Sequence, residues 1–241
     1  MSYIYGLNPV RELIRRRAEE IEEILTCRKD QSLEELFQLA GGKDLKIKLT
    51  SRHQLDQLVQ TKEHQGIIAR APLPKPVLFE ELLEKAQRAQ TALLLFLDQI
   101  EDPQNLGAIF RSAEGAGALG VVMPKRHSAP ITPAVHKASA GAIEWIDFAQ
   151  VTNLSRALEQ AKRADCWIYG AFPQAKELLW EIKFSPKVGI VIGSEGKGIR
   201  PLVARQCDFQ VRIPLFGKIS SLNASVSCAL LVYEFRRQKG F

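Results

Sequence analysis

Apolar positions recur along this chain at two periods, and the switches between them outline its elements. Asn8-Pro9 reads as an N-cap with proline at the first helical position, followed by Val10, Leu13 and Ile14 at helical spacing. A strand is predicted at Ile21 to Cys27. Ser32 and Glu35 form a capping box ahead of Leu33, Leu36, Phe37 and Ala40, and Gly41-Gly42 should end that helix. Alternating Leu45, Ile47 and Leu49 predict a strand, Leu55 to Val59 a short helix, and Ile67 to Ala71 another strand. The first seventy or so residues therefore read as a compact α/β unit.

Three prolines between Ala71 and Pro76 favour an extended, semi-rigid connector, so a domain boundary is placed there: 1–76 with its linker at 71–76, then 77–241. A helical stretch from Phe79 to Gln90 leads onward. Ala92-Leu93-Leu94-Leu95-Phe96-Leu97-Asp98 is the continuous apolar run of a strand covered on both faces. Helical patterns near 103–117, 152–163, 199–206 and 222–238 then interleave with strands near 120–123, 166–171, 187–193 and 209–213. The expected fold class is α/β, with a small α/β domain before a mostly parallel sheet.

Composition alters this picture little. At 241 residues and 46% hydrophobic, the chain can bury a sizeable core. A net charge of +6, from 33 Lys and Arg against 27 Asp and Glu, favours a polyanionic partner without requiring one. Arg15, Arg16 and Arg17 form the densest basic run, readable as a solvated helix end or as phosphate contacts. Cys27, Cys166, Cys207 and Cys228 include no Cys-x-x-Cys pair, which argues against a zinc site or a disulfide framework. No apolar run spans a bilayer and the first residues lack a signal peptide's features, so a soluble protein of the reducing cytoplasm, without membrane or metal, is expected.

Four segments could carry chemistry. Gly115 to Gly120 matches G-x-G-x-x-G literally, but a dinucleotide site needs strand before helix and here the order is reversed, so these glycines read as a helix end. Val188 to Arg200 has the right order of strand, glycine-rich turn and helix, yet Lys197-Gly198 is not the Lys-Ser/Thr of a P-loop, and Glu195 would repel phosphate. Asp102 to Arg111 puts an amide and a guanidinium just after a buried strand, where open α/β sheets bind ligands; a capped helix with Arg111 in solvent is the plain alternative. Ile213 to Ser225 joins a strand end and a glycine loop to a polar helix start, where Ser221 can act as cap.

Taken in order, Asn105-x-Gly107-x-x-x-Arg111, Gly193-x-Glu195-Gly196-x-Gly198, and Ile213-Pro214-Leu215 with Ser221-Leu222-Asn223-x-Ser225 resemble the three-motif signature of the SPOUT ribose methyltransferases. Tyr5-Gly6-x-Asn8-Pro9-Val10 and His64-Gln65-Gly66-Ile67 are similar to segments of the L30e-like RNA-binding domain that precedes the catalytic domain in the ribosomal RNA guanosine members.

The resemblance implies a C-terminal SPOUT domain closed by a deep trefoil knot, which general folding rules would otherwise disfavour. It implies S-adenosyl-L-methionine as cofactor, with Gly193, Ile213, Leu215 and Leu222 lining its pocket. It implies a homodimer acting on RNA, most directly 23S ribosomal RNA or a large-subunit precursor, at a guanosine 2′-hydroxyl. Arg111 is then the residue that activates the hydroxyl, and Asn105, Glu195, Ser221 and Asn223 position the ribose. A guanidinium is too weak a base to remove the proton, so electrostatic stabilisation of the developing alkoxide is the expected role. A tRNA ribose methyltransferase, a catalytically silent RNA-binding protein of the same fold, and an ordinary Rossmann enzyme remain the alternatives.

Overall fold

The computed structural model describes residues 1–40 and 45–240, so the helix end expected at Gly41-Gly42 lies outside the described residues. The chain divides into two compact units, Met1–Pro74 with Ile131–Trp145, and Lys75–Pro130 with Ile146–Phe241.

In the first unit β1 (Ser2–Tyr5), α1 (Leu7–Arg17), β2 (Glu23–Thr26), α2 (Gln31–Ala40), β3 (Ile47–Leu49), α3 (Arg52–Val59) and β4 (Ile67–Ala71) form a four-stranded sheet with helices. Its order is β1-β4-β2-β3, with β4 antiparallel to both β1 and β2 and β3 parallel to β2. Ile4, Val10, Leu13, Ile14, Ile24, Ile67 and Ala69 fill the core. All three helices start earlier than expected. The first helix begins at Leu7, because Gly6 (φ 101°) turns the chain out of β1 and accepts Val10 N–H; Asn8 instead accepts from Arg11. The second begins at Gln31, which puts Ser32 inside it. The third is longer than predicted because Ser51 and Gln54 cap one another's backbone.

The segment 131–145 contributes α6 (Pro133–Ala138) and a 3-10 turn at Ala142–Glu144 to this unit. Glu144, with a side chain only 1% exposed, receives Arg17 Nε and Nη2, each at 2.7 Å, and His136 Nε2 at 2.6 Å. Burial opposes its charge, but the hydrogen bonds from His136 and Arg17 outweigh burial and hold its carboxyl below the usual range. Gln65 Oε1 accepts from Leu7 N–H at 3.0 Å and Lys137 Nζ at 2.7 Å, and burial pushes the Lys137 amine down. The arginine run is thus largely structural: Arg15 pairs with Glu12, Arg16 lies over the Trp145 ring, and Arg17 holds Glu144.

The second unit is built on a seven-stranded, wholly parallel sheet. Its elements are α4 (Phe79–Arg88), β5 (Ala92–Asp98), α5 (Pro103–Gly115), β6 (Gly120–Pro124), β7 (Asp147–Val151), α7 (Leu154–Arg163), β8 (Trp167–Ala171), β9 (Glu177–Leu178), β10 (Lys187–Gly193), α8 (Pro201–Ala204), β11 (Phe209–Arg212) and α9 (Ala224–Lys239). The strand order is β7-β6-β5-β10-β8-β11-β9. As the apolar run implied, every residue of β5 is buried. Phe79, Leu82, Phe96, Val122, Leu158 and Val191 belong to one core cluster, while α5 packs with α9. Because all strands are parallel, their carboxyl ends share one edge, and the segments after β5, β10 and β11 leave from it together.

Candidate functional site

Asp102 caps α5 by accepting from Gln104 N–H (3.2 Å) and Asn105 N–H (3.1 Å), with Pro103 at the first position. This fixes Asn105 in the first turn. Its Nδ2 donates to Glu195 Oε1 at 2.9 Å, and its Oδ1 accepts from Asn223 Nδ2 at 2.8 Å. Asn223 Nδ2 also donates to Glu195 Oε1 at 2.6 Å, and Ala224 N–H approaches the same oxygen at 3.5 Å. Three residues separated by 90 and 28 positions therefore meet in one hydrogen-bonded cluster.

Asn223 is the N-cap of α9, and neither Ser221 nor an interior helical residue fills that place. Its Oδ1 accepts from Ser225 N–H (2.9 Å), Val226 N–H (3.3 Å) and Ser225 Oγ (2.6 Å). Those donors fix the orientation of the amide, so its Nδ2 must face Glu195. The helix N-terminus in turn favours the carboxylate beside it.

Not every expected residue joins the cluster. Arg111 lies six residues beyond Asn105 on α5, exposed and without a hydrogen-bond or ion-pair partner among the described residues. Ser221 is exposed, in the irregular stretch 213–223, and likewise makes no hydrogen bond among the described residues. Ile213, Leu215 and Leu222 are half-buried along that stretch, and Phe216 is 97% exposed.

Gly193 ends β10 with no room for a side chain: an added Cβ would stand 2.2 Å from the Gly198 carbonyl carbon and 2.4 Å from Ile199 N. The turn folds back directly over this glycine, with Ser194 and Gly198 exchanging backbone hydrogen bonds of 2.9 and 3.2 Å. A pair that sequence reasoning missed anchors its far end. Asp98, fully buried at the end of β5, accepts from Arg200 N (2.8 Å), Nε (2.8 Å) and Nη2 (2.7 Å). The signal was a carboxylate closing an otherwise apolar strand.

Asn105, Ser194, Glu195, Lys197 and Ala224 line a cavity of about 210 Å³. Two features of the surrounding loops suit a ligand held by backbone groups. The Ser194 hydroxyl is buried with no hydrogen-bond partner among the described residues, and residues 213–222 make no backbone–backbone hydrogen bond there. Burial pushes the thiols of Cys166, Cys207 and Cys228 up to about 11, 12 and 12, which leaves none of them as a thiolate nucleophile at neutral pH. No group of His, Cys, Asp and Glu among the described residues is arranged to hold a metal ion.

The SpoU rRNA Methylase family model matches residues 92–233, and the model for RNA 2′-O ribose methyltransferase substrate binding matches residues 3–77. The chain belongs to the SpoU methylase family. Within it, the 23S rRNA (guanosine-2′-O-)-methyltransferase RlmB of Coxiella burnetii is 38% identical, over 98% of this chain and 95% of its own. Among solved structures, an RNA 2′-O ribose methyltransferase superposes with a TM-score of 0.79 at 29% identity, covering 98% of this chain and 88% of that one. The SpoU methyltransferase AviRb of Streptomyces viridochromogenes, solved in complex with AdoMet, shares the fold at a TM-score of 0.78 and 22% identity, over 98% and 89% of the two chains. As a SpoU methylase, this chain carries the three sequence motifs after three strands at one sheet edge, and each motif contributes one side chain, Asn105, Glu195 and Asn223, to a single cluster.

Proposed function

We propose that the protein transfers a methyl group from S-adenosyl-L-methionine to the 2′-hydroxyl of a guanosine ribose in 23S ribosomal RNA, as a cytoplasmic homodimer engaged in ribosomal RNA processing. The observation that carries this reading is the Asn105–Glu195–Asn223 cluster, a carboxylate oriented by two amides beside a small cavity. In this reading residues 1–76 form the RNA substrate-binding domain and residues 77–241 the methyltransferase, whose last part is threaded as a trefoil knot.

The loops after β10 and β11 fit the cofactor. Gly193, Ile213, Leu215 and Leu222 would hold it, with free backbone groups for its adenine and amino acid moieties and apolar side chains covering them. When bound, it supplies an electrophilic methyl group on a sulfonium. The chain's own residues then have three tasks. Glu195 Oε2, which makes no hydrogen bond among the described residues, accepts from a ribose hydroxyl, while Asn105 and Asn223 keep the carboxylate in place. Ser221 contributes a second hydroxyl contact to the ribose. Arg111, an unpaired cation, stabilises the negative charge developing on the 2′-oxygen, and the proton passes to a phosphate oxygen of the RNA.

Transfer of a tritiated methyl group to unmodified 23S ribosomal RNA and to purified tRNA, followed by nuclease mapping, tests the reading. Label as 2′-O-methylguanosine in 23S RNA is expected. Preferential labelling of tRNA would overturn the ribosomal assignment, and no labelling of either RNA by folded protein that binds the cofactor would overturn the enzyme reading.

A further inference from the structure

A second and larger opening lies on the same carboxyl edge of the sheet, where β6 and β7 end. It is a groove of about 840 Å³, within the roughly 300–1,000 Å³ range of sites that hold small organic groups, and far larger than the cavity beside Glu195. We propose that this groove holds a nucleotide of the RNA strand flanking the methylated one, with Lys125 and Arg126 on its phosphate and the Pro201–Leu202 surface beneath its base. The inference rests on the RNA methyltransferase reading.

Charge and its pairing single out the two cations. Arg200 is held by buried Asp98, and His127 Nδ1 stands 3.7 Å from Glu101 Oε1. Lys125 and Arg126 are exposed and have no ion pair or side-chain hydrogen bond among the described residues. The backbone where they leave β6 is nevertheless fixed at Lys125, whose N–H donates to Val151 O at 2.9 Å. Two free cations on a pinned strand end can meet a phosphate without ordering a loop first. At the opposite wall, the N-terminus of the ten-residue α7 faces the groove through Leu154 and Ser155 and adds a favourable dipole for an anion.

The floor has a different chemistry. Leu202, in the short helix after the Glu195 turn, is 67% exposed and lies beside Pro201 and buried Leu154. An apolar surface next to unpaired cations suits a nucleobase with its phosphate, because single-stranded RNA is recognised through base faces as well as backbone charge. The location is consistent as well. β6 neighbours β5, whose carboxyl end carries Asp102 and Asn105, so a strand crossing the cluster at β5 and β10 would reach the groove by continuing along the edge.

The test compares the full-length protein with the double variant Lys125→Ala/Arg126→Ala and with Leu202→Ala. All three side chains are exposed, so melting temperatures should match the wild type. Binding to an unmodified 23S RNA transcript is followed by fluorescence anisotropy across a potassium chloride series, and S-adenosylmethionine binding by calorimetry. The double variant should bind RNA about tenfold more weakly or worse, with a salt slope shallower by about one for each phosphate no longer neutralised and with unchanged cofactor affinity. Leu202→Ala should weaken RNA binding without changing the slope, since it takes away apolar surface under the base but no charge. Wild-type affinity and slope in the double variant would overturn the proposal, as would weaker binding with the slope unchanged. Methyl transfer by the wild type to the same RNA judges the underlying enzyme reading separately.

Discussion

Asn223 closes the first turn of α9 with its carbonyl oxygen and turns its amide toward Glu195 and Asn105. The two ends of one side chain can therefore be tested apart. Serine is as good a cap but has no amide to donate, so Asn223→Ser should leave the melting temperature nearly unchanged while strongly lowering methyl transfer; alanine would also cost about 1 kcal/mol of stability. Arg111→Ala should lose about a hundred- to a thousandfold in turnover with cofactor affinity intact, the usual effect of deleting one charge-stabilising donor. Calorimetry and single-turnover methylation separate the two. Near-normal turnover by Arg111→Ala would remove that residue from the reaction. Gly193→Ala should instead lose cofactor binding, because the added carbon meets turn backbone at 2.2 Å and backbone cannot swing aside as a side chain can.

At the scale of elements, the buried Glu144 ties α1 to α6 and the turn that follows it. Its carboxyl titrates lower in the folded state than in the unfolded chain, so its stabilisation is complete above the ordinary value of 4.5 and is lost as the pH falls from there through the depressed folded value. Glu144→Gln should flatten that part of the acid response. At neutral pH it should destabilise the fold by roughly 3–5 kcal/mol, as breaking a buried pair does. Melts of both proteins from pH 3 to 7 check this: parallel curves would show that the pair contributes nothing specific. None of it was legible in the sequence, since 127 residues separate Arg17 from Glu144 and neither local period nor composition links them. What the sequence revealed well were elements with long apolar runs or firm caps, such as β5 and α5. It missed β1 and β7, four and five residues long, and read 124–146 as lacking any element, although α6 lies there. Asn105, Glu195 and Asn223 were picked out by the order of their motifs, but their meeting depends on the parallel sheet bringing three strand ends to one edge. Ser221 was weighed as the cap that Asn223 provides, because both lie in a run of capping residues that spacing alone cannot resolve.

Considered as a whole, the molecule leaves a stripe of α9 without cover. Val226 and Tyr233, seven residues apart and therefore on one face, are 47% and 49% exposed. The proposed dimer would bury them, so Tyr233→Glu should run as a monomer in light scattering while keeping its helical circular dichroism. A wild-type monomer at micromolar concentration would dismiss the dimer, and a dimeric Tyr233→Glu would move the interface elsewhere.

The first unit is discontinuous, and this sets an order on its birth. Residues 1–74 leave the ribosome with Arg17 paired to Glu20 but without its buried partner Glu144 and the segment that covers the Gly6–Gln65 corner, because Ile131–Trp145 is made about 70 residues later. At roughly 5–20 residues per second the wait is on the order of 4–14 s, long on the scale of helix and hairpin formation. The amino-terminal unit is begun first but completed only after β5, α5 and β6 have been synthesised. A fragment cut at the proline connector would reproduce that interrupted state: it would expose an arginine built for a buried acid, and leave the remaining chain with a buried acid and no arginine.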